Sequence, residues 1–466
     1  MHSLKNKTDG VATEAHRITN GVRQGCPLSP LLFSLYVDQL SSQLNDAFDS
    51  QTHVKDEMIN NLLYCDDLVI FGEDLRELQR GLDKVYEFCQ NNHLIINQQK
   101  TKLLSCNTNS RFKQSLIMDG QTIESVQTWK YLGFHMNSKG NADAHAIEIN
   151  KRCCYPIYFL RKLAGIKGVN YQQLMRFLKA MIDSIVLYAS EAWGAFVPWN
   201  FGSWDRSLFE RVNFKSCKAI LQVSPTTDNI GARSEVGRLP LLYNIQYRSI
   251  RYWASISKRP ESIISKIMAD PAYKDVGLVA KVNSDIMENC CPVTSTITAA
   301  KAIKIHNSTF RSSYTEYWKN RIERSAKLSH FYYTFKSTLT QEKYLIDIKD
   351  PKMRQTLARF RLGDHRLAVE TLRHTRPKIQ YEDRKCSFCH VDVENEIHFL
   401  FKCPHNGYSR IRERFIEEVK KHVKHFDLLT ADDKAAYIMM QEDPHLTEQL
   451  ALYIIQLNTC REQQLR

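Results

Sequence analysis

No uninterrupted apolar run in this chain reaches the ~20 residues that span a bilayer. The nearest approach, Ala180 to Val197, is broken by Asp183 and Glu191, so no membrane partner is expected. The opening Met1-His-Ser-Leu-Lys-Asn-Lys-Thr-Asp-Gly10 lacks the apolar core of a secretory signal. There is no internal repeat and no low-complexity tract. With 43% hydrophobic and 25% charged residues, the composition excludes a collagen-like, mucin-like or wholly disordered chain. The 13 cysteines are odd in number and spread along 466 residues, which argues for reduced thiols and one metal site. An intracellular protein is expected, nuclear, cytoplasmic or both, with length for roughly three domains of ~150 residues.

The net charge of +13 is unevenly placed. Between Lys301 and Gln380 stand 18 Lys and Arg against 7 Asp and Glu, an excess of 11. Local basicity on this scale suits a polyanion, because each phosphate contact releases condensed counterions. The same stretch holds Tyr314, Tyr317, Trp318, Phe331, Tyr332, Tyr333 and Phe335. These rings either stack on bases or fill the core behind a solvated helix face. As a charged segment, the stretch favours nucleic acid.

The first 135 residues alternate helix-like and strand-like patterns. Ser29 is placed to cap a helix with Pro30 at its first position. Leu32, Phe33, Tyr36, Val37, Leu40 and Leu44 then form one apolar face. Leu62-Leu63-Tyr64 and Leu68-Val69-Ile70-Phe71 flank Cys65-Asp66-Asp67, a hairpin with an acidic tip. Leu75, Leu78, Leu82, Val85 and Phe88 predict a second helix ending near Asn91-Asn92. Strands are expected at Leu94–Ile96 and Trp129–Gly133, giving an α+β layer with helices on one sheet face. From about Asn137 to Asp350 the pattern is mainly helical, with breaks at Pro198, Pro225, Pro240, Pro260, Pro271 and Pro292. Ile411, Phe415, Ile416, Val419 and Val423 trace a later amphipathic helix.

Tyr64-Cys65-Asp66-Asp67 is the first feature with chemical content. Hard ions such as Mg²⁺ take carboxylate oxygens, and paired ions stabilise both oxygens of a phosphoryl transfer. A lone Asp-Asp pair usually only solvates a turn. Around it stand Gly21-Val-Arg-Gln24-Gly25-Cys-Pro-Leu-Ser-Pro30 upstream, and Leu94-Ile-Ile-Asn-Gln-Gln-Lys100-Thr-Lys102 and Trp129-Lys-Tyr131-Leu132-Gly133 downstream.

In order and spacing these four motifs, from about Thr19 to Phe134, resemble the later motifs of reverse transcriptases, in particular the non-LTR (LINE-type) retrotransposon enzymes. The resemblance implies a partial palm, an antiparallel sheet with helices on one face, over residues 1–135. It implies that Asp66 and Asp67 hold catalytic Mg²⁺, that Gln24, Gly25, Tyr64 and Lys100 line the template–nucleotide pocket, and that Tyr131, Leu132 and Gly133 form the primer grip. RNA, DNA and deoxynucleotides would be the partners. The family also needs a metal-binding aspartate on a strand upstream of the Gln-Gly box. Here the 20 residues before Gly21 offer only Asp9, in a turn-like context, and Asp46-Ala-Phe-Asp49 follows the box. The expectation is an N-terminally truncated enzyme that does not polymerise DNA alone.

Near the other end, Cys386, Cys389, His398 and Cys403 make C-x₂-C-x₈-H-x₄-C. Three thiolates and an imidazole suit tetrahedral, structural Zn²⁺, with His390 and His405 as neighbours of less regular spacing. With Phe360-Arg-Leu-Gly-Asp-His-Arg-Leu367 before it, the cluster resembles the zinc-binding segment that follows the polymerase in many LINE-type proteins. There it is thought to help hold template, a role that Arg354, Arg359, Arg361, Arg366 and Arg373 would fit. The expected domains are 1–135 (palm), 136–350 (helical thumb/connection), 351–415 (basic and zinc-binding) and 416–466 (C-terminal helices). Against a truncated enzyme stand two other readings: a host-retained, non-enzymatic nucleic-acid-binding protein, and an active polymerase completed by a carboxylate from elsewhere. No nuclease signature supports an endonuclease.

Overall fold

The computed structural model describes residues 2–4, 7–8, 11–12, 16–18, 21–23, 25–48, 53–54, 57–106, 115–256, 258–270 and 299–464. Gln24, Asp9, Asp49, Pro271 and Pro292 lie outside them. The chain divides into two compact units, one of Met1–Leu132, Met136–Gly140 and Ile256–Asp275, the other of Gly133–His135, Asn141–Ser255 and Val276–Arg466. Helices predominate, with strands in small two-stranded sheets. Among the described residues no helix is long and apolar enough to cross a membrane.

In the first unit, helix α1 (Ser29–Asn45) begins with Pro30 in its first turn, but Leu28 is the N-cap and no side chain caps it. The Ser29 hydroxyl instead donates to the Arg23 carbonyl at 2.6 Å. The buried stripe is Val37, Leu40 and Leu44, with Phe33 partly covered, whereas Leu32 and Tyr36 face solvent. Only one side of the predicted face meets a partner, helix α2 (Leu75–Asn91). Asp74 caps α2, accepting from the Arg76 and Glu77 N–H groups at 2.8 and 2.9 Å. Leu82, Val85 and Phe88 are buried as their spacing predicts.

Strands β1 (Asn61–Tyr64) and β2 (Asp67–Ile70) pair antiparallel, with Tyr64 opposite Asp67. Leu68 and Ile70 pack on the α1–α2 core, and Ser41 of α1 donates to the Asn61 side chain at 3.0 Å. The expected strand at Leu94–Ile96 does not form. Its alternation is real, since Leu94 and Ile96 turn inward and Ile95 is 97% exposed. No neighbour pairs with it, because Asn97 at once starts a turn, its carbonyl accepting from the Lys100 and Thr101 N–H groups. The ladder comes later, where β3 (Lys102–Leu104) pairs parallel with β4 (Glu124–Val126). The described strands therefore form separate pairs, one of them parallel, instead of one antiparallel sheet. β5 (Thr128–Tyr131) and β6 (Phe134–Asn137) make another hairpin. Leu132 and Gly133 are its two-residue turn, not strand, and both have positive φ, as a type I′ turn requires.

The second unit is built on α3 (Asp143–Ala164) against α4 (Leu208–Leu221). Trp193 and Phe209 stack at 4.3 Å in its core. α5 (Ala299–Glu323), α6 (Pro351–Arg361), α7 (Asn406–Lys420) and α8 (Pro444–Gln464) complete the same apolar core. Pro198, Pro225 and Pro240 fall between helices as expected. In α7, Phe415 and Val419 are buried, and Val423 lies beyond its end.

Candidate functional site

The tyrosine–cysteine–aspartate–aspartate box lies across a two-residue hairpin of the first unit. Tyr64 ends one strand and Asp67 starts the next, leaving Cys65 and Asp66 as the whole turn. Cys65 has φ +52°, because a two-residue turn that follows the twist of its strands needs a positive φ at its first position. The tip is thus one residue shorter than the sequence suggested, with Asp67 inside the ladder. Asp66, Asp67 and Tyr64 are exposed, while alternate strand residues anchor the hairpin to the helices beneath. Rigid below and open above, the apex offers carboxylate oxygens to solvent.

Tyr131 connects a second motif to this apex. Its phenol is pushed above the ordinary range, first by burial and then by the negative charge of Asp67. The charge of Asp67 is therefore felt at Tyr131, 64 positions further along the chain. Gly25 adopts φ +82° in the loop before α1, with open space where a side chain would sit. Lys100 is exposed, and its N–H donates to the Asn97 side chain at 3.1 Å. Among the described residues no third His, Cys, Asp or Glu joins Asp66 and Asp67 as a ligand group. Their hard oxygens suit Mg²⁺.

The cysteine–histidine cluster converges in the second unit. One ligand atom each from Cys386, Cys389, His398 and Cys403 lie within 4.8 Å of one another. The Cys386 and Cys403 sulfurs are 3.9 Å apart, and the Cys389 sulfur is 3.4 Å from His398 Nε2. A tetrahedron with Zn–S bonds of ~2.3 Å has S···S edges of about 3.8 Å, and mixed S···N edges of about 3.5 Å. The cluster thus has the dimensions of a zinc shell. Two turns create it. After the first cysteine pair the His390 N–H closes on the Cys386 carbonyl at 3.0 Å. At the second pair the Cys403 N–H reaches the His398 carbonyl at 2.8 Å, a π-type i→i+5 closure. His390 and His405 stay outside the group.

The Cys386 thiol is held far below the usual range, first by a hydrogen bond from Cys403, and the same bond raises Cys403. His398 Nδ1 is buried without a hydrogen-bond partner and lies 3.7 Å from the Asp392 carboxylate. An Nδ1–H on that side leaves the Nε2 lone pair facing the sulfurs. Glu394 accepts from the Ala368 N–H at 2.7 Å and is gripped by Arg461 of α8.

The basic stretch behaves otherwise than its composition suggests. Tyr314, Trp318, Phe331, Tyr332 and Phe335 are buried, Tyr317 is partly so, and Tyr333 is the exposed ring. Arg361 is buried on Glu235 and Glu342, at 3.0 and 2.7 Å, and Arg354 on backbone carbonyls. Arg359 and Arg373 pair with Asp364 and Glu370, and Arg366 is exposed. Core packing has consumed the rings and several of the cations.

An exposed aromatic–basic stripe runs along α3 instead. Lys151, Tyr155, Tyr158 and Lys162 succeed one another at helical spacing, flanked by Arg152 and Phe159, all exposed. Residues three and four apart on a helix are neighbours, and the stripe is about 16 Å long. Lys162 Nζ lies 5.5 Å from the Tyr158 ring centre. The spacing is visible in the sequence, but nothing local distinguishes these rings from the buried ones.

Comparison with known proteins bears on the first unit. Residues 2–136 match the family described as reverse transcriptase (RNA-dependent DNA polymerase). Residues 2–136 are therefore reverse transcriptase-like, and similar to the proteins of non-LTR retrotransposons. Its relatives include a retrovirus-related Pol polyprotein from the type-1 retrotransposable element R2 of Popillia japonica, 31% identical over 141 residues, or 28% of this chain and 23% of that protein. Another is the Pol polyprotein from the type-2 element R2DM of Drosophila melanogaster, 31% identical over 149 residues, 30% of this chain and 14% of that one. The chain spans no more than 23% of the length of these relatives.

Proposed function

We propose that the first unit is part of the palm of an RNA-directed DNA polymerase, and that Asp66 and Asp67 are its Mg²⁺ ligands. The observation that carries this reading is the open hairpin apex, where Asp67 lies within electrostatic reach of Tyr131. Gln24, Gly25, Tyr64 and Lys100 would border template and nucleotide, and Tyr131, Leu132 and Gly133 the primer terminus. Bound Mg²⁺ would neutralise charge on the transferring phosphoryl group. The carboxylates orient it, and the exposed apex admits a polyanionic substrate. Two carboxylates, as found among the described residues, are an incomplete set for a two-metal site, so this chain alone is expected not to extend a primer. Primer extension on an RNA template with Mg²⁺ or Mn²⁺ tests that expectation, and extension abolished by D66N overturns it. Binding of Mn²⁺, read by its EPR signal and lost in D66N, tests the ligand assignment separately.

The Cys386, Cys389, His398 and Cys403 shell is assigned to structural Zn²⁺, since four protein ligands leave no position for a reacting water. A second reading, a nucleic-acid-binding protein without polymerase activity, is favoured by the α3 stripe. Basic side chains would track phosphates while Tyr155 and Tyr158 stack on bases. Binding to a single-stranded RNA that is insensitive to D66N but weakened by Y155A/Y158A supports it. Binding unaffected by the stripe variants refutes it.

A further inference from the structure

A second ligand cluster lies apart from both sites, where the end of α7 meets the start of α8. Glu418 is in the last turn of α7, His422 lies just beyond it, and His445 is the second residue of α8. One ligand atom from each lies within 4.8 Å of the other two. Glu418 Oε1 is 3.3 Å from His445 Nε2, and the His422 and His445 ring centres are 4.9 Å apart. We propose that Glu418, His422 and His445 bind an imidazole-seeking divalent ion of the Zn²⁺ or Ni²⁺ kind, which ties these helices together.

The geometry requires little rearrangement. Ligand bonds of ~2.0–2.1 Å in a tetrahedral shell give ligand–ligand edges of about 3.3 Å. The carboxylate–imidazole edge already has that length, and the remaining approach needs only rotation of exposed side chains. The backbone beneath is fixed. Val419, next to Glu418, and Leu446, next to His445, are both buried, and Phe415 of α7 stacks on Tyr453 of α8 at 4.1 Å. Ligands held on packed helices need no ordering of the chain when the ion arrives.

The donor set selects the ion. Two imidazoles and one carboxylate suit first-row transition ions and zinc, whereas Mg²⁺ and Ca²⁺ prefer all-oxygen shells. Three protein ligands leave room for water at the solvent side. The local charge opposes tight binding. Lys421 Nζ sits 2.6 Å from Glu418 Oε2, while Lys420 is turned away on Asp427 at 2.9 Å. The other Glu418 oxygen remains for the ion, and Lys421 is the cation it must tolerate. An ordinary surface ion pair explains the Glu418–Lys421 contact, but not two histidines, His422 just past α7 and His445 in α8, meeting beside the same carboxylate.

The test uses the zinc-loaded full chain, dialysed against micromolar Ni²⁺ and analysed for both metals. Wild type should take up about one Ni²⁺ per chain more than H422A/H445A. Added Ni²⁺ should raise the melting temperature of wild type and not of that variant, as linkage requires of an ion that binds the folded form. K421A should bind Ni²⁺ more tightly than wild type and E418Q less tightly, which a purely structural contact would not produce. Equal Ni²⁺ uptake by wild type and H422A/H445A overturns the proposal, as does a K421A affinity equal to or weaker than wild type. Both histidines are exposed, so loss of fold in the variant is not expected, and its circular dichroism checks this. Zinc measured in the same samples reports on the cysteine cluster independently, so failure of one site is not mistaken for failure of the other.

Discussion

Withdrawing zinc from the Cys386–Cys403 cluster is expected to unfold the segment from Arg384 to Cys403 and to loosen α8. Two measured edges, 3.9 Å between sulfurs and 3.4 Å from sulfur to nitrogen, differ by only about 0.1 Å from those of a zinc tetrahedron. The ion would enter a formed shell, and almost all its binding free energy would appear as stability. Structural zinc contributes about 10–16 kcal/mol near neutral pH, against about 5–15 kcal/mol for the net stability of a whole domain. Loss on that scale exceeds what the local packing supplies. Cys386, His398 and Cys403 are buried, so an empty shell leaves thiols with only weak contacts to one another and His398 Nδ1 without a hydrogen-bond partner in the core. Glu394 links the damage to α8, because it stands 3.9 Å from Cys386 and holds Arg461. The assay is hydrogen exchange with and without a strong chelator, together with zinc analysis and the C403S variant. Chelated protein should lose amide protection across residues 384–403 and in the last turns of α8, and C403S should reproduce the loss. Purified protein without zinc, or protection unchanged by the chelator, would refute the reasoning.

Three further outcomes are expected. Burial pushes His145 and His306 down from 6.5 to about 4. Their neutral forms therefore support the fold fully above about pH 6.5, and that support is lost as pH falls toward 4. Between pH 7 and pH 5 each should remove about 2 kcal/mol. Urea unfolding at the two pH values measures this, and H306F, which retains a ring against Tyr243 and Phe310, should flatten the dependence. R361M leaves Glu235 and Glu342 without their shared cation and should destabilise the second unit by about 3–5 kcal/mol in calorimetry. On α3, Y155A and Y158A should each weaken nucleic-acid binding by about 1–3 kcal/mol. K151A and K162A should each reduce the slope of log affinity against log salt by about 1, measured by fluorescence anisotropy.

What could be read from the sequence was set by near neighbours in the chain. A two-residue turn between apolar runs exposes its acids whatever else folds around it, so the Asp66 apex was legible. The C-x₂-C and H-x₄-C spacings bring their sulfurs and nitrogen together through two local turns. Asp74 before an amphipathic run caps α2 for the same reason, and Pro198, Pro225 and Pro240 fall between helices, although Pro156 lies within α3. Tertiary structure decided everything that depended on which surface meets which. Leu94–Ile96 alternates like a strand but finds no partner, while β3 and β4 pair across the 19 residues between them. His398, not His390 or His405, completes the cysteine shell. The same kinds of residue, rings interleaved with cations, became core in α5 and the segments after it but an open face on α3. Side-chain type sets what burial or exposure is worth. Only the packing of distant helices sets which of the two a residue receives.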